Sequence, residues 1–168
     1  MSFAFKNDPS ATFITDVTKT TNANNTTANV PLFRITGTVE CKALYGVVTT
    51  TMGANHTASL FRLNDQTAQV AITAAASTAL SAAATGTFIA KLGLAAAVTS
   101  VSTSAAGRIL EPTTLQTLEF SEFVVVKKNG ANTDIEYQYA TTDAPTSGAI
   151  QFFLEWIPRS ADAQVTAQ

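Results

Sequence analysis

The sequence predicts an all-β fold, an antiparallel β-sandwich or barrel of about eight strands with an extended N-terminal arm. Two stretches of sustained two-residue alternation, one near residue 31 and one ending at Pro158, supply the strand signal. Turn-forming residues recur roughly every 8–15 positions, the spacing of a sandwich or barrel. A chain of 168 residues makes one ordinary domain, or one domain with an arm. The division expected is an arm over 1–29 and the β-domain, with a short C-terminal tail, over 30–168.

In the arm, Phe3, Phe5 and Phe13 are spaced through Asn, Asp, Ser and Thr, and 18–29 is a polar run. Three phenylalanines in thirteen residues argue against pure disorder, so an arm docked on its own domain or on a neighbour is expected, with a short strand over 11–17. Residues 31–52 alternate strongly. Phe33, Ile35, Gly37, Val39, Cys41, Ala43, Tyr45 and Val47 fall on one face, and Arg34, Thr36, Thr38, Glu40 and Lys42 on the other. That run is too long for most single strands, which predicts a bend at Gly37 or Gly46. Strands follow over 58–63 and 68–73, separated by an Asn64-Asp65 turn.

Residues 74–106 are mostly Ala, Ser and Thr; one or two helical turns over 77–84 and strands over 87–92 and 96–102 are expected. Strands over 118–128 and 133–140 are joined at Asn129-Gly130, a pair that marks hairpins because both residues tolerate positive φ. After a loop through Pro145 comes the closing strand. It sends Ile150, Phe152, Leu154 and Trp156 one way and Gln151, Phe153, Glu155 and Ile157 the other.

Charged residues make up 13% of the chain, about half the usual share. Small neutral polar side chains take their place, which suits a surface packed against other subunits; the alternative is a monomer with a Thr-rich sheet. The net charge is −2 and Lys127-Lys128 is the only adjacent basic pair, so no nucleic-acid partner is expected. No apolar run spans a bilayer and the first residues do not read as a signal peptide, so neither a membrane partner nor secretion is expected.

Candidate chemistry is sparse, and no enzyme activity, cofactor or metal is expected. The single cysteine, Cys41, lies on the inward parity of a strand and reads as a buried thiol. His56 is the only histidine and falls in a predicted turn without ligand or base partners. Glu119 and Glu122 fall on opposite faces of one strand. Glu155, among aromatics, reads as an edge or interface salt bridge rather than a catalytic acid. Tyr45, Tyr137, Tyr139 and Trp156 could bind a sugar if exposed, but their parity with Val and Ile favours core packing.

Leu32, Phe33, Ile35, Gly37 and Val39 near the start, and Gly148, Ile150, Phe152, Trp156, Pro158, Ser160, Asp162 and Val165 at the end, carry a resemblance. Together with the Ala/Thr-rich middle, they resemble small virion proteins of tailed bacteriophages, of the capsid decoration or cement type. Arg159 stands where Leu is usual in that pattern, and Ala163 where Gly is usual. The resemblance covers about 30–52 and 115–165 and carries no catalytic residue. It implies a structural, non-enzymatic protein on the capsid exterior of a virion, partnered by the major capsid protein and often trimeric. Phe3, Phe5, Phe13, Arg159 and Asp162 are then the expected capsid contacts. The competing expectation is a fibre, spike or tail component that binds host-surface glycan.

Overall fold

Gly37 carries the chain from sheet to sheet with almost no connecting loop. Its φ of +67° turns the backbone out of one sheet and into the other, dividing the long alternating run into two strands. A computed structural model describes residues 11–20, 28–53, 56–73, 80, 82–91, 99–101, 122–141 and 148–168. Among them are eleven strands and no helix. They are β1 (Phe13–Thr20), β2 (Ala28–Thr36), β3 (Thr38–Thr50), β4 (His56–Asn64), β5 (Gln69–Ala71), β6 (Phe88–Ala90), β7 (Thr99–Val101), β8 (Phe123–Val126), β9 (Thr133–Thr141), β10 (Ala149–Pro158) and β11 (Gln164–Ala167).

These strands form a sandwich of two antiparallel sheets, not a closed barrel. Sheet A runs β1-β10-β3-β6-β7, with β8 alongside the first part of β3. Sheet B runs β11-β2-β9-β4-β5. The count exceeds the eight expected because several pairings involve only three or four residues. β1 lies inside the stretch read as an arm and docks on its own domain, pairing with β10 over its whole length. Phe3, Phe5 and the rest of 1–10 lie outside the described residues, as do 21–27.

Between the sheets sits one apolar core. The closing strand behaves as its alternation predicts: Ile150, Phe152 and Leu154 are fully buried and Trp156 nearly so. Opposite them lie Leu32, Phe33, Ile35, Phe61, Ile135, Tyr137 and Tyr139 from sheet B. Phe152 meets Tyr137 at 5.0 Å and Phe61 edge-on at 6.1 Å between ring centroids. The Tyr137 hydroxyl, inside the core, donates to Ser59 Oγ at 2.8 Å. That bond meets the demand of a buried polar group.

Two expectations are corrected. The face assigned to β3 changes partway along, because Glu155 pairs with Ala43 while Trp156 pairs with Cys41, leaving Lys42 as an extra residue. Beyond this bulge Leu44, Gly46 and Val48 point inward, while Tyr45 and Val47 turn outward. The inward row passes close to β10 at Gly46, where an added Cβ would lie 2.9 Å from Ile150 Cγ2 and Phe152 Cδ1. The second correction concerns Asn129-Gly130. Gly130 does take positive φ, but the turn joins no hairpin: β8 belongs to sheet A and β9 to sheet B. Of the expected helical turns over 77–84, residues 77–79 and 81 lie outside the described residues, and 80 and 82–84 form no helix.

Candidate functional site

Three connections that change sheets meet at one end of the sandwich. They are Gly37 between β2 and β3, the 127–132 turn between β8 and β9, and Arg159–Ala163 between β10 and β11. Backbone bonds join them: Lys127 N–H donates to Gly37 O at 2.8 Å and Arg159 N–H to Thr38 O at 2.9 Å. Ser160 Oγ accepts from Thr38 N–H at 2.8 Å and donates to Asp162 Oδ1 at 2.6 Å. Only a residue without a side chain fits at Gly37, because a Cβ there would stand 2.6 Å from Asp162 Oδ1 and 2.8 Å from Ala163 N. Gly37, Lys127, Asn129, Ser160 and Asp162 border an open depression of about 320 Å³.

The β4–β5 turn, read from Asn64-Asp65, is at the same end. Asp65 accepts backbone N–H from Thr67 at 2.9 Å and Ala68 at 2.6 Å, and pairs with Lys128 at 3.1 Å. The bond from Ala68, then those from Thr67 and Lys128, hold the Asp65 carboxyl well below the usual range.

On the outer face of sheet A the same end carries a chain of charges. Arg159 pairs with Glu40, Glu40 with Lys42 at 3.1 Å, and Lys42 with Glu122. Hydrogen bonds from Arg159 first and Lys42 second lower the Glu40 pKa. Beside the chain, Val124 and Val126 project outward from β8 and are 60% and 62% exposed. Farther along this face Tyr45 stacks between Phe153 at 5.0 Å and Phe88 at 5.4 Å. Burial and the nearby Glu155 raise the Tyr45 pKa.

The expected contact residues therefore divide. Phe13 stacks on Trp156 at 4.9 Å inside its own sandwich, and Trp156 Nε1–H donates to Thr15 Oγ1 at 3.1 Å. Arg159 and Asp162 both secure the β10–β11 corner, yet each remains solvent-accessible. Of the four candidate sugar-binding aromatics, Tyr137, Tyr139 and Trp156 belong to the core, while Tyr45 faces outward. His56 starts a strand rather than occupying a turn. Cys41 is buried, its thiol pushed up to about 12 first by desolvation and then by Glu40. Glu122 is exposed and ion-paired, and Glu119 lies outside the described residues. No group of His, Cys, Asp and Glu that could hold a metal occurs among the described residues.

Sequence reasoning missed the outer face of sheet B. There Arg62 grips Glu136 through Nε at 2.7 Å and Nη2 at 2.6 Å, and Asn64 Nδ2 donates to Glu136 Oε1 at 2.8 Å. Arg34 grips Asp134 at 2.9 and 3.0 Å. Both pairs are cross-strand register partners, so only knowledge of which strands are neighbours could have found them. Comparison of the chain with protein-family models, curated proteins and solved structures gives no match.

Proposed function

We propose that this chain is a structural virion protein that binds the outer surface of a phage capsid and stabilises the shell. One observation carries the reading: the residues that bear the resemblance are core positions of β2, β3 and β10 together with two of the corners that join the two sheets. Gly37 and Val39 lie at the β2–β3 crossing, while Trp156, Pro158, Ser160, Asp162 and Val165 belong to β10, the β10–β11 corner and β11. A shared pattern at such positions reflects a shared fold requirement, which chance likeness in a Thr-rich chain would not supply. The low charge and the uncovered Val124 and Val126 fit a molecule held among other subunits. Phe3 and Phe5 are the apolar anchors proposed to reach the major capsid protein. Binding only the assembled shell stabilises it by mass action.

Co-sedimentation with expanded, undecorated heads of the phage that encodes the protein tests this. Saturable pelleting at a fixed ratio to the capsid subunit is expected; a folded protein that stays in the supernatant contradicts the proposal. One observation favours the competing reading of a fibre, spike or tail component. The Phe88–Tyr45–Phe153 row is a stacked aromatic surface outside the core, of a kind that can receive a sugar ring. Binding on a glycan array that is lost in Tyr45→Ala would favour that reading, and an array without hits would remove it.

A further inference from the structure

Five strands have one side without a strand partner among the described residues. Four of them, β5, β7, β8 and β11, are only three or four residues long, which is one way natural sheets keep edges from pairing with other chains. β1 is the least protected of the five: it carries one outward charge, Asp16, and one inward-facing lysine, Lys19, near its end. It is eight residues long, pairs with β10 through eight successive partners without a register shift, and contains neither Pro nor Gly. Its outward Ile14 is 64% exposed, and its inward Phe13 and Val17 are only partly buried against the core.

We propose that two copies of this chain join along β1, antiparallel about a two-fold axis at Thr15, merging their A sheets into one continuous sheet. The strand is its own complement in this register. Directly opposed residues project from the same face, so a two-fold pairing must centre on a single residue. Centring on Thr15 sets Phe13 against Val17 of the partner subunit, and Val17 against Phe13 of the partner subunit, extending the apolar inner row across the junction. On the outer face Ile14 meets Asp16 of the partner subunit, while on the inner face Lys19 lies opposite Ala11 of the partner subunit. No like charges meet. Centring one residue later would oppose the two Asp16 carboxylates, a destabilising arrangement. A two-fold contact makes a dimer, in place of the trimer that the resemblance implies, and it stands or falls independently of capsid binding.

Sedimentation of the full chain over a range of concentrations tests the pairing. The expected mass is twice the 17.6 kDa of the chain, with reversible dissociation on dilution. Ile14→Asp sets an acid opposite Asp16 of the partner subunit at two symmetric positions and should raise the dissociation constant about ten-fold. Ile14→Lys faces the same carboxylates with opposite charge and should keep or tighten the dimer. Both changes are at an exposed side chain, and the thermal midpoint of each diluted variant reports whether the fold is intact. Hydrogen exchange at β1 amides should slow as concentration rises. A monomer or a trimer at every concentration overturns the proposal. So do exchange rates that ignore concentration, or equal weakening by the acid and the lysine.

Discussion

The outer faces of the two sheets are built on opposite principles. Sheet B closes its outer face with paired charges: Arg62 and Glu136 are only 6% and 4% exposed, and they bond each other, Gln69 and Asn64. Sheet A has a charge chain at one end, but Val124 and Val126 stand uncovered beside it, and farther along its outer face shows Ile14 and a row of stacked aromatic rings. Guanidinium–carboxylate pairs satisfy each other and leave little to offer a partner, whereas uncovered aliphatic groups gain by being covered. Sheet A is therefore the face we assign to assembly.

The sharpest way to break this comparison is Arg62→Ala. It strands Glu136 as a buried unpaired charge, and urea denaturation should show a loss of about 3–5 kcal/mol. Replacing Arg62 and Glu136 together by Met and Leu should recover most of that, since neither charge is then left without its partner.

Next come the glycines. Gly37→Ala combines positive φ with contact against the Ser160–Ala163 corner and should cost at least about 1–3 kcal/mol. Gly130→Ala has the same backbone strain but nothing within 4 Å of its Cβ, so it should cost clearly less in the same denaturation assay. Equal losses would mean that packing at the triple corner contributes nothing.

Acid unfolding offers a third test, at the end shared by both sheets. Asp65 and Glu40 have folded pKa values lowered by their hydrogen bonds. Their contributions are complete above the ordinary carboxylate pKa of about 4 and fade as pH falls through the lower folded values. Asp65→Asn should lower stability at neutral pH and flatten its decline below about pH 4, as followed by thermal midpoint against pH. The smallest effect on folding belongs to sheet A: Val124→Thr with Val126→Thr should change stability by no more than about 0.5 kcal/mol. The same double variant should weaken capsid binding.

Legibility in the sequence followed locality. The closing strand, the Asn64-Asp65 turn and the break at Gly37 depend on side-chain period and on single residues with special φ, so they could be read directly. Asn129-Gly130 was read correctly as a turn and wrongly as a hairpin, because turn chemistry fixes local backbone and not which sheet receives the next strand. Lys42 looks like any outward residue, yet the bulge there reversed the expected direction of Tyr45. The Arg62–Glu136 pair joins residues 74 apart and stays invisible until β4 and β9 are known neighbours. Of the site, Arg159 and Asp162 stand out in the tail pattern, while β1 as a strand with one side unpaired among the described residues follows from topology alone.

Heat disruption of expanded heads, with and without added protein, tests the central claim most directly. Decoration predicts a disruption temperature that rises with protein concentration and levels off once every site is filled. An unchanged temperature at saturating protein would contradict it.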